Sequence, residues 1–168
     1  DLVSIFTCNV AVSWMHTKGE YTPGITLSDA DIADFLDSVD CYVMGAHTYE
    51  SALDLGWPYG NKPVYVLTNR GLPNKRSTVS FHSGDLSTWT NNYLRRRHKN
   101  SWMVGGAALT AEFIRLKLAD ELVISMLPII LGSGIPFFYP QQKSHLLALL
   151  DVKAYSDGMV EMRYGFKR

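Results

Sequence analysis

The fold of this chain is indicated by a short unit at residues 41–50, CYVMGAHTYE. Its first four residues are apolar, which favours a strand buried on both faces of a sheet, and Gly45 ends that run. A helix is predicted at about residues 48–53. Apolar strands at residues 63–68 and 102–104 are likewise followed by turns. This alternation of strands and helices predicts a mostly parallel sheet with helices on both faces.

The same pattern continues toward the N-terminus and through the middle of the chain. From Ser28 the apolar spacing becomes i, i+3, i+4, i+7, and Ser28 and Asp31 have the spacing of a capping box, which predicts a helix. Further segments complete the alternation: strands at residues 2–12, 79–82 and 121–127, and helices after Asp85 and over residues 108–116.

The C-terminal stretch has a different period. Residues 150–154 and 160–166 alternate apolar and polar side chains, which is typical of strands with one solvated face. Asp157 and Gly158 between them favour a type I′ hairpin turn. The chain, residues 1–168, is therefore predicted to be a single domain with a three-layer α/β/α sandwich, whose mostly parallel sheet carries an antiparallel C-terminal hairpin.

Composition and charge exclude several classes of protein. Of the 168 residues, 46% are apolar and 19% are charged, which is typical of a globular chain. Sixteen basic and sixteen acidic side chains cancel, so no net field attracts nucleic acid or an anionic membrane. The chain contains no run of about 18 uncharged apolar residues that could span a bilayer. The opening residues carry no secretory signal, and we expect a cytoplasmic protein.

Cysteine and histidine spacing gives no sign of a metal site. Cys8 and Cys41 both fall in predicted strands, so they either form a disulfide between neighbouring strands or remain buried thiols, and two thiols are favoured. None of the five histidines has a zinc-ligand spacing, and we expect no metal. A basic cluster at residues 95–99 either binds phosphate or complements the dipole of the predicted helix that it ends, and the second interpretation is favoured.

Ligands of such sheets bind beyond the carboxyl ends of the strands, where loops begin helices. Three turns of this kind follow apolar strands, at residues 45–50, 68–70 and 105–108. Two of them begin helices whose free N–H groups could hold phosphate, although none is a G-x-G-x-x-G motif or a P-loop. Each turn alone could be an ordinary tight turn, and their repetition favours a nucleotide-binding site.

Six motifs in order carry a resemblance to a known family. They are residues 43–50 (VMGAHTYE), 57–59 (WPY), 64–68 (VYVLT), 104–106 (VGG), 120–122 (DEL) and 128–138 (PIILGSGIPFF). With them the chain resembles the dihydrofolate-reductase-like superfamily. It is most similar to stand-alone relatives of the reductase domain of bifunctional riboflavin-biosynthesis deaminase-reductases. The resemblance extends from the first strand to about Phe138.

The resemblance implies an NADPH site built from the three turns. Gly105 and Gly106 would lie against the pyrophosphate, because a Cβ there blocks close approach of the backbone, and relatives often join this pair by a cis peptide. We also expect a positive φ at Gly106. The implied cofactor-binding residues are Gly45, Ala46, His47, Thr48, Thr68, Asn69, Arg70, Gly105, Gly106, Ala107, Ala108 and Leu109.

One departure from the family pattern bears on the choice of coenzyme. Relatives usually place an arginine after the glycine of the first turn, where it meets the 2′-phosphate, and this chain has Ala46 there. Arg70 could take over that contact as a bidentate donor, with Thr68, Asn69 and His47 as weaker donors. Such a contact favours NADPH over NADH about ten- to a hundredfold. Otherwise Arg70 is a solvated loop residue.

A second departure concerns the substrate. Relatives follow the first strand with a Ser-Leu-Asp-Gly-like segment, whereas residues 13–16 are SWMH, so the acid and the glycine are missing. Asp31 is a candidate catalytic replacement, because it resembles the first-helix carboxylate with which dihydrofolate reductases bind the pterin ring and assist protonation. Alternatively, Asp31 only caps its helix. The substrate-binding candidates are Ser13, Trp14, His16, Asp31 and Phe35.

These implications lead to one main functional hypothesis. It is an NADPH-dependent reductase of a small heterocyclic or ribosylamino-pyrimidine-like substrate, resembling 5-amino-6-(5-phosphoribosylamino)uracil reductase and dihydrofolate reductase. The alternatives are a catalytically silent nucleotide-binding or regulatory module on the same fold, and an unrelated α/β phosphate-binding protein. The expected partners are a small-molecule substrate and a second copy of the chain, in a homodimer, with neither nucleic acid nor a membrane.

Overall fold

A computed structural model of the protein describes residues 26–130, 132–134, 136–137 and 139–167, together with the backbone of residues 2–7. The strands in this part of the chain are β1 (Leu2–Thr7), β2 (Cys41–Gly45), β3 (Val64–Leu67), β4 (Val79–His82), β5 (Asn100–Gly105), β6 (Glu121–Met126), β7 (Leu147–Ala154) and β8 (Val160–Phe166). The helices are α1 (Asp29–Ser38), α2 (Ala46–Asp54), α3 (Leu86–Trp89), α4 (Arg95–Arg97) and α5 (Ala107–Arg115), with a π-helical turn, Thr90–Leu94, between α3 and α4.

These strands form one sheet in the order β4-β3-β2-β5-β1-β6-β8-β7. Neighbouring strands are parallel from β4 to β6, and β8 is antiparallel to both β6 and β7. The predicted mostly parallel sheet with an antiparallel C-terminal hairpin is therefore confirmed. Because parallel strands share one direction, the turns that follow β2, β3, β4 and β5 all lie at the same edge of the sheet, called here the carboxyl edge.

Alternate side chains of the central strands fill two separate cores, one on each face of the sheet. On one face Met44 and Val66 pack with Tyr49 of α2. On the other face Val43 packs with Phe113 of α5. Strands β2 and β3 are thus buried on both faces, which explains their continuous apolar sequence and confirms the three-layer sandwich.

Polar contacts hold both ends of α1. Ser28 and Asp31 form the predicted capping box, in which the Ser28 N–H donates to the Asp31 carboxylate (2.9 Å) and the Asp31 N–H donates to the Ser28 hydroxyl oxygen (3.2 Å). At the other end the Lys62 ammonium group donates to the carbonyl oxygens of Leu36 (2.5 Å) and Val39 (2.7 Å). These contacts satisfy backbone groups that a helix leaves unpaired at its ends.

The loop between β7 and β8 differs from the predicted type I′ turn. A type I′ turn needs a positive φ at both central residues. Gly158 has a φ of 87°, whereas Asp157 has no positive φ. The loop is closed by the Gly158 N–H donating to the Tyr155 carbonyl (3.0 Å) and by the Tyr155 N–H donating to the Met159 carbonyl (2.8 Å). The hairpin therefore has a longer loop in which glycine alone adopts the left-handed conformation.

Cys41 is a buried free thiol, which agrees with the favoured prediction for that residue. Its sulfur donates to the Ser101 hydroxyl oxygen at 3.3 Å. Burial raises the pKa of the Cys41 thiol to about 11, so the thiol is neutral near pH 7. Cys8 lies outside the described residues. Among the helices that the structure describes, none has the length and apolar composition of a membrane span.

Candidate functional site

The three predicted turns lie side by side at the carboxyl edge. Gly45 at the end of β2 is in register with Leu67 at the end of β3. A Cβ added at Gly45 would lie 3.9 Å from the Gly105 carbonyl oxygen, and one added at Gly106 would lie 3.8 Å from the Thr48 hydroxyl oxygen. Parallel pairing of β3, β2 and β5 therefore gathers the turns that the sequence proposed as one site.

Gly105 and Gly106 lie where β5 passes into α5, and the peptide bond between them is cis, as the resemblance implies. The expected positive φ at Gly106 is wrong. Gly106 has a φ of −76° and a ψ of −168°, which is extended backbone, whereas Gly105 has a φ of 112°. The conformation that requires glycine is therefore at Gly105. At Gly106 the absence of a side chain instead allows a ligand to come close to the backbone.

Two helices begin at this edge without a side-chain cap. Gly45 is the N-cap of α2 and Gly106 is the N-cap of α5, and neither has a side chain that accepts from the first-turn N–H groups. By contrast, the Asp85 carboxylate caps α3 by accepting from the Thr88 N–H at 2.7 Å. Open N–H groups and the helix dipole together suit an anion such as pyrophosphate. The first-turn residues are Ala46, His47 and Thr48 in α2 and Ala107, Ala108 and Leu109 in α5.

A cavity of about 360 Å³ lies at the same edge, between the ends of β3 and β4 and the side of α5. Three of the predicted cofactor-binding residues, Thr68, Asn69 and Leu109, line it. The end of β4, the loop that follows it and the polar side of α5 contribute further lining residues, which were not predicted from the sequence. They are His82, Ser83, Gly84, Asp85, Glu112 and Arg115. The residues at the end of β4 and just after it could have been predicted from their position, because they follow a parallel strand as the three predicted turns do.

His82 lines this cavity, and its imidazole ring is uncharged and stacked on an aromatic neighbour. Its ring stacks on Trp89 with 5.1 Å between the centroids and 22° between the planes. Its Nε2 atom is buried and has no hydrogen-bond partner among the described residues. Burial lowers the pKa of His82, which favours the uncharged imidazole. In the part of the chain that the structure describes, no group of three or more His, Cys, Asp or Glu side chains could hold a metal ion.

Arg70 is held in an ion pair at the same edge. Its Nη1 and Nη2 atoms donate to the two carboxylate oxygens of Glu50 at 3.0 and 2.7 Å. The His47 Nδ1 atom lies 3.5 Å from the same carboxylate. The hydrogen bond from Arg70 lowers the pKa of Glu50, and the hydrogen bond to Glu50 raises the pKa of Arg70, so both groups are charged. The sequence predicted Arg70 to be available for a ligand, whereas in the structure it is paired with Glu50, which was not predicted as a site residue.

The substrate candidates on α1 lie toward the β6–β8 side of the same edge, because the start of α1 contacts the β7–β8 loop and that loop is level with the carboxyl end of β6. Asp31 is exposed in its capping box, and the hydrogen bond from the Ser28 hydroxyl lowers the pKa of its carboxyl group. Phe35 on the same helix is partly buried and packs edge-to-face on Trp102 at 5.2 Å. A contact between Thr26 and Ser156, 3.4 Å between their hydroxyl oxygens, connects the start of α1 to the β7–β8 loop. The other three candidates, which the structure does not describe, are Ser13, Trp14 and His16.

Comparison with solved structures gives the fold. The crystal structure of a putative riboflavin biosynthesis protein from Shewanella sp. PV-4 has a TM-score of 0.78 and 23% identity, with the whole of both chains covered. A pyrimidine reductase-like protein from Corynebacterium diphtheriae has a TM-score of 0.63 and 14% identity, covering 99% of this chain and 92% of that one. At these identities the similarity establishes the shared architecture alone.

Comparison of sequences gives the family. The model of the RibD C-terminal domain matches residues 92–160. The uncharacterized protein YwjB of Bacillus subtilis (strain 168) is 30% identical over 138 residues, which are 81% of this chain and 79% of that protein. The uncharacterized protein YyaP of the same organism is 25% identical over 162 residues, 88% of this chain and 85% of that protein. By its sequence, this chain belongs to the RibD C-terminal domain family.

Proposed function

We propose that this protein is an NADPH-dependent reductase that acts on a small heterocyclic substrate of the ribosylamino-pyrimidine type. The observation that carries the proposal is the carboxyl edge, which holds two uncapped helix N-termini, the Gly105–Gly106 pair and a cavity of about 360 Å³. Such an edge suits a dinucleotide. Membership of the RibD C-terminal domain family and the likeness to a pyrimidine reductase-like protein support a reductase.

The residues of the edge fit the separate parts of the coenzyme. The first-turn N–H groups of α5 would hold the pyrophosphate, and Gly106 would let it approach the backbone. Leu67 and Leu109 in the cavity wall would contact the adenine ring, and Arg70 would contact the 2′-phosphate. When bound, the nicotinamide supplies the hydride. The protein's part is to position the two reactants and exclude water.

Asp31 and Phe35 on α1 are the residues that we propose for substrate binding, together with Ser13, Trp14 and His16. The hydrogen bonds from Ser28 lower the pKa of Asp31, so its carboxylate is ionised at neutral pH. An ionised carboxylate accepts from a pair of N–H donors on a heterocycle and thereby fixes the orientation of the ring. We therefore assign to Asp31 the orientation of the substrate, with the proton supplied by water.

Oxidation of NADPH in the presence of pterins, flavin precursors and ribosylamino-pyrimidines tests the reductase function. We expect turnover with at least one ribosylamino-pyrimidine. Coenzyme binding without turnover on the whole panel would favour the rival, a catalytically silent module, to which Ala46 and the altered residues 13–16 point. Absence of any pyridine nucleotide binding would contradict both.

Asp31→Asn should lower turnover on a verified substrate about tenfold or more while the melting temperature changes little, because an amide still caps a helix but carries no charge. Asp34→Asn is the matched control, since Asp34 is an exposed acid on the same helix. Steady-state kinetics and thermal melting of both variants provide the measurement. Equal turnover in the two variants would reduce Asp31 to a helix cap.

Gly106→Val should abolish NADPH binding and leave the fold intact. The backbone of Gly106 is extended, and an added Cβ would be in ordinary contact with the Thr48 hydroxyl, so the free protein accepts a Cβ there, whereas the branched valine side chain blocks the pyrophosphate. Gly71→Val is the control, because a Cβ there meets nothing within 4 Å. Isothermal titration and thermal melting are measured for both. Unchanged affinity in Gly106→Val would show that the pyrophosphate lies elsewhere.

Arg70→Ala should remove most of a preference for NADPH over NADH, because the guanidinium group is the proposed donor to the 2′-phosphate. Dissociation constants of both nucleotides are measured with the parent protein and the variant. Arg96→Ala, which removes an exposed arginine from α4, should leave the preference as it is. Equal affinities in the parent protein would contradict the preference, and a preference that survives Arg70→Ala would assign it to other residues.

We further propose that the chain forms a homodimer through β7. This strand ends the described sheet, and it exposes more than half of Leu149, Leu150 and Val152. Light scattering should give about twice the chain mass of 18.9 kDa, and Val152→Lys should shift it toward that of a single chain. Leu55→Lys, at another exposed leucine, should leave the dimer intact. A single-chain mass for the parent protein at micromolar concentration would contradict the dimer.

A further inference from the structure

We propose that Glu50 sets the coenzyme preference of this protein by competing with the coenzyme 2′-phosphate for the Arg70 guanidinium group. The inference rests on the proposed function, since it concerns the adenosine end of the same nucleotide site. It differs from the expectation for Arg70 alone, because it assigns the preference to a pair of opposite charges.

The contacts of the pair show that Arg70 is already engaged. Both terminal nitrogens of its guanidinium group donate to Glu50, one to each carboxylate oxygen, at 3.0 and 2.7 Å. The Arg70 backbone N–H also donates to the Thr68 hydroxyl oxygen at 3.0 Å, which holds this turn in shape. A phosphate that takes the same two N–H groups must displace the carboxylate, and one that takes the remaining N–H groups of Arg70 lies beside the negative charge of Glu50.

The arginine of α5 that lines the cavity is paired with a carboxylate in the same way. Arg115 on α5 donates from Nε and Nη2 to the two carboxylate oxygens of Glu112. Ala46 adds no charge, and the His47 Nδ1 atom lies beside Glu50. Arg70 and Arg115 are therefore each part of an ion pair whose net charge is zero before a coenzyme binds. A dianionic 2′-phosphate gains less from a paired guanidinium group than from a free one, because the neighbouring carboxylate repels it.

The same pair offers a partner to each of the two coenzymes. A carboxylate accepts from the ribose 2′-hydroxyl group of NADH, whereas a guanidinium group donates to the 2′-phosphate of NADPH. The side chains of Arg70 and Glu50 are 50% and 39% exposed, so either can turn toward a ligand. We therefore expect the parent protein to accept both coenzymes, with a preference for NADPH below about tenfold, the lower end of what one charge-assisted contact gives.

Glu50→Gln separates charge from shape. Glutamine has the size of glutamate and still accepts one hydrogen bond from Arg70, but it has no charge with which to repel a phosphate. Affinity for NADPH should rise about fivefold, the effect of one ionic neighbour at a solvated site, while affinity for NADH stays within about twofold. The gain should shrink at high salt, because exposed charges are screened.

The experiment measures dissociation constants of NADPH, NADH, 2′,5′-ADP and 5′-AMP by isothermal titration at low and high salt. The proteins are the parent, Glu50→Gln, Arg70→Ala and the double variant. Glu121→Gln is the control. Glu121 also forms a bidentate ion pair, with Arg163, and it lies at the start of β6, away from the carboxyl edge. The effect of Glu50→Gln should be confined to the 2′-phosphorylated ligands and should vanish in the Arg70→Ala background.

The outcomes separate this inference from the function on which it rests. An unchanged ratio of affinities in Glu50→Gln, or an equal change for all four ligands, would overturn the role of Glu50 while leaving the nucleotide site in place. A gain that persists without Arg70 would overturn the competition. Failure of every ligand to bind the parent protein would overturn the proposed function itself.

Discussion

Strands β2 and β3 carry apolar side chains on both faces, and the chain can fold only if helices cover each face. Val43 and Met44 are neighbours on the chain yet lie in different cores, one against α5 and the other against α2. Connecting parallel strands through covering helices places every strand-to-helix turn at one edge of the sheet. The carboxyl edge, with its glycines and open helix ends, is therefore a consequence of how the core is buried.

The positive potential that the edge offers to an anion comes more from backbone N–H groups than from unpaired cationic side chains. Its arginines Arg70 and Arg115 are paired with Glu50 and Glu112. Gly45 and Gly106 leave the first turns of α2 and α5 without a side-chain cap, so backbone N–H groups and helix dipoles remain for an anion. A dinucleotide can be held at such an edge through its pyrophosphate. In our proposal, a pair of opposite side-chain charges then sets the preference between NADPH and NADH.

Local sequence patterns predicted most of the elements, because the forces behind them are local. Strands β4 and β8 have the predicted limits, and the Ser28–Asp31 box starts α1 as expected. The π-helical turn at Thr90–Leu94 had no such signal, since the apolar stripe of a helix continues through it. The hairpin loop was predicted as a two-residue turn because Asp157-Gly158 favours one, but the hydrogen bonds of Tyr155 close a longer loop.

The sequence by itself determined which segments are strands or helices, which of them are buried, and where glycine opens the backbone, because periodicity, caps and small residues act over a few positions. Only the tertiary structure decided which side chains meet. Glu50 on α2 and Arg70 in the loop after β3 are 20 residues apart, and they meet because β2 and β3 are parallel neighbours with Gly45 opposite Leu67. The loop after β4 joins the cavity for the same reason. Contacts of this kind depend on strand order and register, which the pairing of the whole sheet fixes and no local pattern encodes.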